Sequence, residues 1–196
     1  MKPTSNWDKT PAQTGGAETL SAGGHRVRIR GAECKQSRSG RDMIVLYFEI
    51  AEGSEYDGIM MRQYERQKGF GNANAKWPNM GTMYQLVTDQ TGNTNPRFKG
   101  LIAAIERSNS GYKWDWNEAG LKGKMLGIVF GEEEIIGQRD GQLHVIVKPR
   151  WVCEVDKVNE QPVPQLKKLP ESDTNGYSGG GSSDGFTETQ DDELPF

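Results

Sequence analysis

The residues with the clearest chemistry are aromatic rings and cationic side chains that alternate along short segments. Arg62, Tyr64 and Arg66 lie two residues apart, so an extended strand would carry all three on one face. A flat ring can stack on a nucleobase, and an Arg or Lys beside it can hold the phosphates. This group is therefore a candidate surface for single-stranded nucleic acid. Such a surface needs no hydrogen bonds to the edges of particular bases, so it binds without sequence preference.

Other rings and cations could join this surface. The ten predicted DNA-binding residues are Arg26, Arg28, Arg30, Tyr47, Arg62, Tyr64, Arg66, Lys68, Lys76 and Trp77. Tyr112, Trp114 and Trp116 either extend the surface or pack against the end of the domain. The alternative for the whole set is that alternate positions of a half-buried strand are simply solvated.

No arrangement of residues predicts catalysis. Glu132–Glu134 is a carboxylate cluster without a nearby His or Asp, and successive strand residues point to opposite faces, so we expect a solvated turn. Cys34 and Cys153 lack the spacing of a zinc site. We predict no enzyme activity, no catalytic residue, no metal and no cofactor. A nuclease that uses Glu132–Glu134 with a divalent ion is the alternative.

Alternating apolar residues predict strands in the first part of the chain. His25–Lys35 and Met43–Ala51 both alternate, and Ser37–Gly40 between them favours a turn, so they should form a hairpin. Ile59–Arg66 is predicted to be a third strand. Residues 67–92 fit a helix and a strand equally well and have no assignment.

A helix and two more strands follow. Asn95 can cap a helix, Pro96 suits its first position, and apolar residues from Phe98 to Ile105 have helical spacing. Residues 121–130 and 143–155 are β-rich, with an edge or bulge expected at Pro149. The order β-β-β-α-β-β predicts a mainly β fold, an OB-fold-like five-stranded barrel with one connecting helix. A different small β-barrel fits nearly as well.

The charge is divided between the body and the end of the chain. The formal net charge is −3, but residues 171–196 hold seven acids and no Lys or Arg, which leaves residues 1–170 at +4. This asymmetry suggests a basic surface for an anionic partner and a separate acidic arm. We predict a flexible arm over residues 1–22, a domain over 23–169 and a disordered acidic tail over 170–196.

The last six residues are the most specific signal. They are Asp191, Asp192, Glu193, Leu194, Pro195 and Phe196. A hydrophobic pocket with a basic rim could bury the terminal ring and bind the α-carboxylate, while the acids before it steer the approach. The tip is therefore predicted to bind partner proteins. The alternative is an acidic tail that only aids solubility.

A basic β-core, a Gly-rich linker and this acidic tip closely resemble the bacterial and phage single-stranded DNA-binding proteins. The core is also similar to proteins of this kind encoded by phages of Gram-positive bacteria, in the stretches Tyr47–Gly53, Phe98–Ile102, Leu121–Lys124 and Gly131–Glu134. This resemblance implies an OB-fold that binds and protects single-stranded DNA in replication, recombination and repair.

The resemblance also implies partners and a location. The tip would recruit replication and recombination proteins, and the chain could form a homo-oligomer. No segment is long and apolar enough for a signal peptide or a membrane span, so we expect the bacterial cytoplasm. The alternative function is an adaptor that binds no DNA and competes for a host replication partner through the same tip.

Overall fold

A computed structural model describes residues 18–137 and 140–170. Over these residues the fold is mainly β, as predicted, with five antiparallel strands in a single sheet and two α-helices. The strands are β1 (Gly23–Gln36), β2 (Asp42–Ile50), β3 (Thr82–Leu86), β4 (Met125–Ile136) and β5 (Leu143–Cys153), and the helices are α1 (Ile59–Gly69) and α2 (Pro96–Ser108). Among the described residues, no helix is both long enough and apolar enough to cross a membrane.

The sheet has the order β3-β2-β1-β4-β5, and each neighbouring pair is antiparallel. Strands β3 and β5 are the two edges. The sheet is open between them, whereas the sequence predicted an OB-fold-like barrel.

The predicted hairpin between β1 and β2 is confirmed. The amide of Ser37 donates to the carbonyl of Arg41 at 2.8 Å, which closes the predicted turn. Val27 and Ile29 of β1 are buried, and so are the alternate apolar residues of β2, which are Ile44, Leu46, Phe48 and Ile50. Met43 and Val45 on the opposite face of β2 are buried too, so neighbouring side chains cover this central strand on both faces.

Helix α2 also forms as predicted. The side chain of Asn95 accepts the amide of Arg97 at 2.8 Å, and Pro96 occupies the first turn, where its missing N–H costs nothing. Phe98, Leu101 and other apolar residues of this helix are buried against the sheet. This helix covers the inner face of the sheet, where the rings of Phe48 and Phe130 meet edge to face at 6.1 Å.

The predicted third strand is wrong, because Ile59–Gly69 is helix α1. The buried carboxylate of Glu49 accepts the first amides of this helix, from Met60 at 3.1 Å and Met61 at 2.8 Å. A carboxylate at a helix N-terminus satisfies free amides and interacts favourably with the helix dipole. The third strand is instead β3, inside the segment that had no assignment, so a helix separates the second and third strands.

The last strand pair has the predicted irregularity. β5 is an edge strand, and its pairing with β4 shifts at Pro149, which cannot donate a backbone hydrogen bond. Beyond β5, the chain returns alongside β4, where Lys167 exchanges two backbone hydrogen bonds with Glu132 and Glu134. At the other end, Leu20 is 1% exposed and belongs to the core, although the sequence assigns it to the arm.

Candidate nucleic-acid interface

A β-bulge in β1 sets which side chains share a face. Ile29 pairs with Phe48 and Gly31 pairs with Tyr47, so Arg30 is an extra residue in β1. A single extra residue reverses the alternation of the strand after it. As a result, Gly31, Glu33 and Lys35 lie on the same face as Tyr47, which we call the outer face.

The outer face carries an open groove of about 530 Å³. Its lining comes from β1, β2, β3 and the loop before β3, and its rings and cations are Arg30, Lys35, Tyr47, Lys76, Trp77 and Tyr84. We call it the Tyr47 groove. Gly31 lies directly across from Tyr47 and presents no side chain, so the floor of the groove is open beside that ring. Rings beside cations in an open channel are the arrangement that stacks bases and holds phosphates.

Trp77 is held in place by its indole nitrogen. The indole N–H points at two backbone carbonyls, at 3.2 Å from the oxygen of Phe48 and 3.0 Å from that of Gly81. Gly81 permits this approach, since a Cβ there would lie 2.6 Å from the indole nitrogen. The half-buried ring therefore lines the groove in a fixed orientation.

Tyr47 and Lys35 are both bound to one carboxylate. The Tyr47 hydroxyl donates to Oε1 of Glu33, and the Lys35 ammonium lies 2.7 Å from the same oxygen. These hydrogen bonds, that of Lys35 first, lower the pKa of Glu33. Burial, with Glu33 adding to it, raises the pKa of Tyr47. A carboxyl group whose pKa is lowered therefore lies beside two residues that line the groove, Lys35 and Tyr47.

The structure does not bring Arg62, Tyr64 and Arg66 together on one face. In a helix, residues two apart point in nearly opposite directions, so the predicted shared strand face is wrong. The guanidinium of Arg62 binds Glu18 at 2.6 Å and the backbone carbonyl of Asp57. Through Glu18, Arg62 therefore connects the segment before β1 to α1.

Tyr64 and Lys68 lie near the groove because Tyr64 contacts Trp77 and Lys68 contacts Tyr64. The Tyr64 ring is 5.8 Å from the ring of Trp77, and the ammonium of Lys68 is 4.5 Å above the Tyr64 ring. Lys76 lines the Tyr47 groove itself, as does Trp77. These four residues form a continuous patch of rings and cations on one side of the groove.

The arginine row of β1 has the predicted arrangement. Arg26, Arg28 and Arg30 are exposed, while Val27 and Ile29 between them are buried. Arg30 continues this row on the outer face and lines the Tyr47 groove.

The three other aromatic candidates, Tyr112, Trp114 and Trp116, lie in the segment that follows α2. Trp114 and Trp116 both contact the ring of Phe98, with centroids 6.4 Å and 6.2 Å away. Trp116 is 70% exposed and has a φ of 65°, which is uncommon for a bulky residue. Tyr112 contacts Lys124, whose ammonium is 4.5 Å from the ring. None of these rings lines the Tyr47 groove.

Glu132–Glu134 is not the predicted turn, because all three residues lie in β4. Glu133 is surrounded by the cations of Lys148, Arg150 and Lys167, at 3.5 to 3.7 Å. Within residues 18–137 and 140–170, no group of three or more His, Cys, Asp and Glu side chains is placed to hold a metal ion.

The sequence did not predict five of the groove residues, which are Gly31, Lys35, Asn79, Thr82 and Tyr84. Tyr84 is in the segment without an assignment. Lys35 and Gly31 reach the outer face only because of the bulge at Arg30, for which the sequence has no clear signal. Their chemistry alone, a Lys two residues from a Glu and a Gly that follows an Arg, is common on any surface.

The sequence matches no protein-family model, and no curated protein is significantly similar to it. The six residues predicted to bind partners, 191–196, lie outside the described residues.

Proposed function

We propose that this protein binds single-stranded DNA without sequence preference, with the bases in the Tyr47 groove. The observation that carries the proposal is the convergence of Tyr47, Trp77 and Tyr84 with Arg30, Lys35 and Lys76 on one open groove. Base–aromatic stacking contributes about 1 to 3 kcal/mol per base and accepts every base. The cations compensate the phosphates, so affinity should fall with salt.

The shape of the groove favours a single strand. A duplex keeps its bases stacked on one another, so their faces are not available to Tyr47 or Trp77. The groove offers no helix of the kind that enters a major groove to read base edges. Binding should therefore be tight on single strands, weak on duplex and nearly indifferent to base order.

We also propose that the sheet is an OB-fold-like barrel that is incompletely closed. The support is that β5 contacts the short turn Asn79–Gly81, which leads into β3. The two edges thus approach each other near the Tyr47 groove. Partly open five-stranded barrels of this type bind oligonucleotides.

The proposed cellular role is to coat and protect single strands during replication, recombination or repair. Recruitment of partner proteins is assigned to the tip Asp191–Phe196, on the strength of its sequence chemistry alone. Deleting Phe196 should abolish partner capture in a pull-down of host replication proteins and barely change DNA affinity.

The test of the DNA site uses Gly31. An added Cβ at this position meets no atom within 4 Å, and Gly31 does not have a positive φ, so Gly31→Leu should fold. Its side chain would lie against Tyr47, because the Cβ atoms of directly opposed strand residues are about 4.5 to 5.5 Å apart. Covering that ring should cost the stacking of one base, roughly 5- to 150-fold in affinity.

The matched control is Gly100→Leu in α2, where an added Cβ also meets no atom within 4 Å. Both variants and the unmodified protein would be titrated with fluorescent oligothymidylate at several salt concentrations. If Gly31→Leu and Gly100→Leu bind with equal affinity, the DNA does not bind in the Tyr47 groove. If the unmodified protein forms no tight, salt-sensitive complex, the adaptor function replaces the proposal.

A further inference from the structure

We propose that a concavity beside the Tyr47 groove is a binding site for a backbone phosphate of the same DNA strand. It is formed by Arg28, Arg30 and Lys122, and its volume is about 240 Å³. We call it the Lys122 concavity. This inference rests on the proposed function, since it names where the strand goes after it leaves the groove.

The backbone around Lys122 is firmly attached to β1. The amide of Gly123 donates to the carbonyl of Ile29 at 2.7 Å, and the amide of Ile29 donates to the carbonyl of Lys124 at 2.9 Å. Gly123 has a φ of 83°, which allows this turn at little steric cost. The position of Lys122 relative to Arg28 and Arg30 is therefore fixed by the main chain, and its ammonium is exposed to solvent.

The chemistry of the concavity fits a phosphate and not a base. Three cations face it, and the rest of its lining is Ile29 and Gly123, so it has no ring on which a base could stack. The competing acid is Glu52, whose carboxylate is 3.8 Å from Arg28 and whose side chain is 79% exposed. Such an exposed pair is weak, so a phosphate can displace it.

The concavity continues the groove because Arg30 lines both. The sheet order places β3, β2, β1 and then the segment of Lys122 in succession. With strands roughly 4.8 Å apart, this crossing covers about 14 Å. The strand would thus run across the sheet, with bases over β3 and β2 and a phosphate beyond β1.

The test compares Lys122→Ala with Lys99→Ala, a control at an exposed position of α2. Each phosphate contact contributes about −0.7 to the log–log salt slope on a single strand. Lys122→Ala should reduce the slope by about that amount, so its loss of affinity relative to the unmodified protein should shrink about threefold between 50 and 200 mM salt. Lys99→Ala should keep the original slope.

A second measurement identifies the phosphate. Oligothymidylates that each carry one neutral methylphosphonate linkage are scanned along their length. One position should weaken binding to the unmodified protein and have no effect on Lys122→Ala, which is the signature of a coupled pair.

Two results overturn the inference: equal salt slopes for Lys122→Ala and Lys99→Ala, or additive effects at every methylphosphonate position. In both cases Gly31→Leu would still lose affinity and the proposed function would stand. If the unmodified protein does not bind oligothymidylate, the proposed function fails together with the inference.

Discussion

Trp77 combines two roles that substitution can separate. Its ring lines the Tyr47 groove, while its indole nitrogen donates to the carbonyls of Phe48 and Gly81. Trp77→Phe keeps an aromatic face and loses the donor. Trp77→Ala loses both the donor and the face.

The expected magnitudes follow from these contacts. Losing one shared hydrogen-bond donor should lower the free energy of unfolding by about 1 kcal/mol in Trp77→Phe. Trp77 packs partly against the core, so Trp77→Ala should cost about 2 kcal/mol, below the range for fully buried rings. Removing the ring should also weaken DNA binding by about 1 to 3 kcal/mol, or roughly 5- to 150-fold. Trp77→Phe should retain most of that affinity.

The assay pairs urea denaturation with titration of fluorescent oligothymidylate, at a urea concentration where every variant is folded. Trp116→Ala is the control, because that ring is 70% exposed and lies at α2. Equal affinity of Trp77→Ala and the unmodified protein would show that Trp77 is only structural. Equal losses of affinity in Trp77→Phe and Trp77→Ala would show that the ring face is not what binds DNA.

Three further predictions concern buried and ionised groups. Glu49→Ala leaves the amides of Ile50, Met60 and Met61 without an acceptor and should cost about 3 to 5 kcal/mol in urea denaturation, whereas Glu52→Ala should stay within about 0.5 kcal/mol. Burial lowers the pKa of His25 below its ordinary value of 6.5, because it disfavours the charged ring. The contribution of this neutral ring to the free energy of unfolding should therefore be complete above pH 6.5 and be lost as the pH falls through the lowered pKa. His25→Phe should reduce this loss, and an unchanged loss would assign it to other groups. Glu33→Gln removes an acid that binds Lys35 and Tyr47 beside the Tyr47 groove, so it should tighten binding to oligothymidylate at low salt, while a weakening would mean that Glu33 is needed to position Tyr47.

The parts of the fold predicted correctly are those with local signals. The turn at Ser37–Gly40 and the cap at Asn95 are properties of a few adjacent residues, and both form as expected. Helix α1 was missed because its N-terminus is stabilised by Glu49, a residue from a different element. Arg62, Tyr64 and Arg66 alternate with their neighbours as the residues of a strand would. Only the first turn of their helix is buried, so this alternation does not reflect one buried and one exposed face.

The groove was predicted in part for the same reason. Arg30, Tyr47, Lys76 and Trp77 were all expected to bind DNA, and all four line the Tyr47 groove. Their residue types were enough to select them. Their arrangement depends on the bulge in β1 and on the hydrogen bonds of Trp77, which are tertiary features.

The bulge has a consequence for insertions and deletions. Removing Arg30 alone would make Ile29 and Gly31 neighbours opposite Phe48 and Tyr47, so β1 would pair with β2 without a break and residues 31–36 would keep their faces. Cys34 would stay opposite Ile44, and Glu33 and Lys35 would stay on the outer face. A deletion within the exposed segment Arg38–Gly40 would shorten only the hairpin loop. The hairpin should therefore tolerate a one-residue deletion at either site with its faces preserved, and the loss of Arg30 should remove one cation from the Tyr47 groove.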